Sequence, residues 1–306
     1  MKRIVLLLIM SLSISTFGQE SEWMTSLDIA KRLALTQNKM LFVMWEQAAS
    51  DLQTITFKDA NGNTIIVSAR GNNSANEVIW EHFVPVKLSE TNYEKLFLEI
   101  KEKRRLGYIS KFNDDSVKIM DTNGNILNAK FNIQDYSNVD LSYLIDKYAL
   151  NTYYINKELR NYAEVKNFTT TFRLASKYMD YAIFQSSAVE NEIIDLALIY
   201  LDEAKQLLGD VDEDKRLAFA QKCELQRVYQ YTVVNRPRKI LRELNRLSKE
   251  EIYSINQSMF NFLNYISHRL LKDEEEAELW KSKVSLLDLK KSELIITKNT
   301  EKNWKP

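Results

Sequence analysis

A single cysteine, Cys223, leaves this 306-residue chain without an intramolecular disulfide and without a dithiol redox cycle. Two histidines, His82 and His268, stand far apart in the sequence, so neither a histidine-rich metal site nor a local catalytic triad has its ligands. No metal and no cofactor is expected. Six glycines assemble neither a phosphate loop nor a dinucleotide fingerprint. Charge of one sign is also lacking, with 42 Lys and Arg against 42 Asp and Glu, so no overall field steers the chain to nucleic acid. Beyond the first residues no run is apolar for long enough to span a bilayer. With only three prolines and 45% hydrophobic residues, the chain has to be held by a sizeable core.

What is present begins with MKRIVLLLIMSLSISTFGQE, where Lys2 and Arg3 precede an apolar run from Ile4 to about Phe17. This layout predicts a cleavable signal peptide over 1–19, cut near Gly18 and Gln19. The mature chain is therefore expected in the periplasm or outside the cell, with no transmembrane segment after cleavage. No cysteine near the cut offers a lipid acceptor.

From Leu27 the residues Leu27, Ala30, Leu33 and Ala34 recur at helical spacing, with Ser26 as N-cap. MLFVMW, Met40 to Trp45, then reads as a strand buried on both faces. Two Asn-Gly pairs, Asn61-Gly62 and Asn123-Gly124, each predict a hairpin. Between them fall a helix over about Ser74 to His82, a strand over Phe83 to Leu88 and a charged helix over Tyr93 to Arg105. Pro85 lacks a ladder donor and puts that strand at or near an edge. A helix over Leu141 to Tyr148 closes an α/β block of residues 20–150.

Over 151–295 the strand signals stop and amphipathic helices follow, stacked as antiparallel pairs in a helical-hairpin domain. FTTTFRLASKYMDYAIF and NEIIDLALIYLDEAKQLLG form one such pair, with Gly209 expected as the residue that ends its second helix, and the domain loosely resembles tetratricopeptide helices. Pro237 suits a helix start, and Ser248 with Glu251 reads as a capping box. Residues 296–306 read as a polar tail.

EWMTSLDIAKRLALTQNKMLFVMW, FVPVKL and SVKIMDTNGNIL, taken in order, resemble the thioredoxin-like family of exported bacterial proteins over about Glu22 to Tyr148. The resemblance implies a thioredoxin-like N-terminal domain. It also implies where the chemistry would sit: a Cys-x-x-Cys segment at the helix that follows the first buried strand, and a cis-proline before the terminal hairpin. Trp45, Glu46, Gln47, Ala48, Ala49 and Ser50 occupy the first place, and Asp114, Asp115 and Ser116 the second. Neither a thiol nor a proline is there, so this is a degenerate member and dithiol oxidoreductase activity is excluded.

The remaining candidates have ordinary structural explanations. Cys223 in QKCELQRVYQ is expected as a buried, hydrophobe-like thiol, His82 as a helix-end residue, Asp114 and Asp115 as turn formers, and DEEEAELW as a helix start favoured by the dipole. Arg238, Arg242 and Arg246 share one helical face, which reads as a charged surface interrupted by Glu243 or as a partner-binding stripe. The function expected is therefore a non-catalytic binding or scaffold protein of the bacterial cell envelope, with a protein or peptide partner. Such a partner could pair with the main chain of the old substrate cleft. Two alternatives stand beside it: an enzyme with a non-thiol site in that cleft, drawing on Glu46, His82, Asp114 or Asp115, and a purely helical adaptor.

Overall fold

A computed structural model describes residues 22–59, 61–69, 73–130 and 136–302. The expected signal peptide lies outside the described residues. The first helix, α1 (Leu27–Gln37), buries Ala30 and Ala34 and is capped as expected, Ser26 Oγ accepting from the Ile29 amide. Asn38 ends it in the left-handed region at φ 56°, which an asparagine tolerates, and turns the chain directly into β1 (Met40–Trp45).

All six residues of β1 are buried, as a strand covered on both faces requires. It pairs in parallel with β4 (Phe83–Leu88), from Met40 opposite Phe83 to Trp45 opposite Leu88, and antiparallel with β5 (Lys118–Met120). An isolated bridge from Met24 to Val86 extends the sheet beyond β4, and another from Ile126 to Met120 extends it beyond β5. Pro85 thus sits in the outer of the named strands, where its carbonyl accepts from the Met24 amide at 3.0 Å and no ladder of a further named strand calls for its missing N–H.

Between β1 and β4 come α2 (Glu46–Asp51), the hairpin β2 (Thr54–Lys58) and β3 (Thr64–Ser68), and α3 (Asn73–His82). The hairpin is where Asn61-Gly62 placed it, but it does not join the first sheet. It forms a second one, in the order β3-β2-β6, with β6 (Asn138–Asp140) parallel to β2. The strand β6 has no apolar run to announce it, since Val139 is its one buried residue. The charged helix expected over Tyr93 to Arg105 stops at Ile100 as α4 (Tyr93–Ile100), and a second helix that was not expected, α5 (Leu106–Asn113), follows it. Asp140 caps α6 (Leu141–Tyr148), which matches its expected span.

The two hairpin turns are copies of one device. In Asp59-x-Asn61-Gly62-Asn63 and Asp121-x-Asn123-Gly124-Asn125, the aspartate Oδ1 accepts from the amides two and four residues on, at 2.8 to 3.0 Å. The glycines take φ of +82° and +88°, which a residue with a Cβ rarely adopts. The first turn is at the surface; the second is buried, with Asp121 at 0% exposure.

Eight helices follow: α7 (Asn156–Glu164), α8 (Phe168–Ile183), α9 (Glu190–Gln206), α10 (Glu213–Val233), α11 (Pro237–Leu247), α12 (Gln257–Leu271), α13 (Glu274–Lys281) and α14 (Leu286–Lys302). Sequential neighbours pack together as far as α13, most closely α8 with α9, and α14 packs back on α8, α10 and α12. Pro237 stands in the first turn of α11 and Asp273 caps α13, as the sequence suggests.

Three expectations fail. Gly209 lies inside a 3-10 turn, Leu207–Asp210, and does not take a left-handed cap conformation. Ser248 is the C-cap of α11, while α12 begins only at Gln257, after Asn256 has tied the chain to Ala218 O and Gln221 Oε1. The polar tail is in fact helix through residue 302. Asn299 donates to Thr232 O at 3.0 Å, and Lys298 pairs with the buried Glu190 at 2.6 Å, so these two polar residues are ones the core needs.

The core is continuous across the two blocks, one buried cluster running from Ala30 to Ile295. Polar ties cross the same junction. Asn156 donates to Leu35 O and Asn38 Oδ1, both at 2.7 Å, and Tyr178 and Tyr200 reach Asp121. No described helix is long and apolar enough to cross a membrane.

Candidate functional site

Of the two segments where the resemblance would put the chemistry, Trp45 at the start of the first is linked to the second through Lys118. Trp45 ends β1 almost fully buried, its indole N–H donating to Phe112 O at 3.0 Å, with Phe112 edge-on at 5.3 Å and Tyr93 at 5.6 Å. This aromatic cluster fixes α5 against the end of β1. The loop that leaves α5 contains Asp114, Asp115 and Ser116, so Trp45 and this loop become neighbours.

Lys118 joins them. It lies in β5 opposite Val43, and the ammonium stands 5.9 Å from the centre of the Trp45 ring. Its donors go to Asp114 O, to Asp114 Oδ1 at 3.2 Å and to Ser116 O at 2.8 Å. From α5, Lys111 reaches Ser116 Oγ and comes to 3.6 Å from Asp114 Oδ2. Asp114 is thus clamped between two lysines whose side chains are 1% and 2% exposed. Burial pulls the Lys118 ammonium down to about 8, with Asp114 opposing the shift, and lowers Lys111 for the same reason.

An ammonium has three donors, and all three of Lys118 are satisfied by fixed acceptors. A nucleophilic amine would have to break this set first. The loop is closed on the main-chain side as well. Ser116 N donates to Asp114 Oδ1 at 2.9 Å while Ser116 O accepts from Lys118. The expected main-chain pairing of an extended peptide along this loop would have to displace the Asp114 side chain. A cavity of about 400 Å³ reaches Lys111 and Asp114 from the side of Gly107, Ser110 and Lys130.

At the other segment, Glu46 and Gln47 are exposed, Ala48 is buried, Ala49 half-buried and Ser50 exposed. Helix α2 spans only Glu46–Asp51, and Trp45 offers no side-chain cap. The Gln47 amide instead donates to Glu90 Oε1 at 2.9 Å, a carboxylate supplied from beyond β4. In a thiol enzyme that end of the helix favours a thiolate; here an acid of the chain itself holds it.

The other candidates do not converge. Glu46 and Asp115 are exposed, and His82 ends α3. Among the described residues no group of three or more His, Cys, Asp or Glu could hold a metal. Cys223 is 2% exposed, and burial, with Glu224 beside it, pushes its thiol up to about 12, so almost none of it is a thiolate at neutral pH. Arg238, Arg242 and Arg246 are exposed together on α11. Glu243 accepts from Arg246 at 3.1 Å and stands 3.5 Å from Arg242.

Sequence reasoning missed Lys111, Lys118 and the Asp121 turn. The signal for Lys118 was its place in VKIM, a lysine within a run that has no exposed face to put it on. For Asp121 it was the repeated Asp-x-Asn-Gly-Asn pattern, although nothing in that pattern says which copy is buried. Comparison with family models, curated proteins and solved structures finds no match for the chain.

Proposed function

We propose that the chain is a non-catalytic, thioredoxin-like scaffold of the bacterial cell envelope, exported by its N-terminal signal, which works by binding a protein partner. The strand order supports the scaffold: a Met24 bridge, β4, β1, β5 and an Ile126 bridge, with β4 parallel and β5 antiparallel to β1. The observation that carries the non-catalytic reading is the Lys111–Asp114–Lys118 cluster beneath Trp45. It fills the junction of the two segments where the chemistry would be, and every donor of Lys118 is engaged there. Recognition is then assigned to the helical block, where Arg238, Arg242 and Arg246 of α11 are open to solvent.

Insulin-disulfide reduction by the purified chain and by Cys223→Ser tests this reading. Both are expected to match the buffer control. Turnover that persists in Cys223→Ser would end it.

A further inference from the structure

A cleft of about 320 Å³ separates the N-terminal block from α9, with Lys31, Lys103 and Arg104 on one wall and Asp202 and Glu203 on the other. The acids of the helical wall are engaged: Asp202 pairs with Arg227, and Glu203 takes Lys166 together with the Tyr162 hydroxyl at 2.7 Å. The cations opposite are not matched. Arg104 donates to Asn125 Oδ1 at 3.0 Å and to Lys103 O at 3.4 Å, and its guanidinium stands 5.7 Å from the centre of the Tyr108 ring. These partners orient the fork without neutralising it. Among the described residues neither Arg104 nor Lys103 has an ion pair, and Lys31 has only Asp28, itself exposed, at 4.0 Å.

Gly124 keeps Lys31 in the cleft. A Cβ built there would lie 2.8 Å from Lys31 Cε, so any larger residue pushes that ammonium away. Glu99 offsets part of the positive charge. A half-buried guanidinium without a counter-charge is unfavourable, and one held by neutral acceptors is preorganised for a carboxylate or phosphate. Leu96, Phe112 and Met120 add an apolar surface to the same cleft.

We propose that this cleft binds a small organic anion, its carboxylate or phosphate group on Arg104 between Lys103 and Lys31, and its apolar part against Leu96, Phe112 and Met120. The proposal does not rest on the thioredoxin-like reading, since it follows from the charges around the cleft alone.

Titration calorimetry of the full chain with phenyl phosphate, hexanoate and, as a cationic control, hexylamine tests it. Saturable binding of at least one acid at one site is expected, the better of the two identifying the head group, with no heat from hexylamine. Arg104→Gln should weaken the acid at least tenfold, the scale of a charge-assisted contact. Should that variant fail to fold, Lys103→Glu, at an exposed position, should weaken binding comparably, while Arg242→Gln on α11 should leave it unchanged. No heat from either acid, or equal affinity in Lys103→Glu and the wild type, overturns the proposal.

Discussion

Tyr200 of α9 donates its hydroxyl to the carboxylate of Asp121, a fully buried acid in the turn after β5, and Tyr178 of α8 reaches the same oxygen at 3.2 Å. The Tyr200 hydroxyl also accepts from Asn123 Nδ2 at 2.9 Å, so one phenol closes two bonds of the turn. This is the most deeply buried polar tie between the α/β block and the helices, and each helix contributes to it from a fully buried side chain.

Tyr200→Phe should therefore destabilise the fold by about 2 kcal/mol, because it strips a charged acceptor of its strongest donor and leaves Asn123 unpaired. Tyr178→Phe, which removes the longer bond, should cost about 1 kcal/mol. Urea denaturation followed by tryptophan fluorescence and by far-UV dichroism measures both. Coincident transitions are expected in the wild type, as the core is continuous across the two blocks. A loss below about 0.5 kcal/mol for Tyr200→Phe would show that the tie carries little.

Asp59 and Asp121 hold the same place in the two copies of the turn, and their pKa values shift in opposite directions. Hydrogen bonds from Asn63 hold Asp59 below the usual carboxylate range, while burial pushes Asp121 above it despite bonds from Tyr200 and two amides. For Asp121 the folded state keeps its proton to higher pH than the unfolded chain, whose value is 3.8. Its contribution is full below that value and is lost as pH rises through the folded pKa. Asp121→Asn should remove this fall in stability on the alkaline side of 3.8, as denaturation midpoints across pH 4 to 7 would show, and Asp59→Asn should not.

Lys118 has the opposite sign. Its ammonium is lowered to about 8 in the fold against 10.5 in the unfolded chain, so between these values the unfolded state binds the extra proton. Stability should rise with pH through that window, by roughly 3 kcal/mol if the whole difference is expressed. Above pH 10 the trend reverses, because Tyr108, Tyr178 and Tyr200 are held protonated by burial while their unfolded counterparts ionise. A stability maximum between pH 8 and 10 is expected, and Lys118→Met should reduce the rise that leads to it, leaving the share that Lys111 contributes with the same sign.

Lys298→Met separates a tail from a helix. Glu190 is 4% exposed and pairs with Lys298 at 2.6 Å, so removing the cation should cost about 3 to 5 kcal/mol. An unstructured tail would lose nothing. Thermal or urea unfolding distinguishes the two outcomes directly.

How far the fold was legible depends on which signal each segment carries. β1, α1 and α6 declare themselves through an unbroken apolar run, an N-cap and helical spacing, and both Asn-Gly turns lie where only a positive φ fits. α5 was hidden because the side chains it buries include Lys111 beside Tyr108 and Phe112, and a buried lysine looks like a surface residue in a pattern of polarity. The same misreading turned 296–302 into a tail, since Lys298 and Asn299 serve the core as partners for Glu190 and Thr232. The hairpin was found but its sheet was not. Nothing local to Thr54–Ser68 encodes that β6, some seventy residues later, pairs with β2. In the candidate site, the absent thiols were readable; the lysines that occupy the junction were not, because their partner Asp114 is a turn former by every local criterion.

Lys111, Asp114 and Lys118 form a lysine–aspartate cluster where the proposed thioredoxin-like fold would carry a thiol centre. Titration of the Lys118 side chain by NMR, in protein labelled at lysine Nζ and Cε and assigned with Lys118→Met, tests it most directly. A midpoint near 8, with slow exchange of the ammonium protons below it, is the result the account predicts. A midpoint at the ordinary 10.5 with rapid exchange would mean an open, hydrated amine and would contradict it.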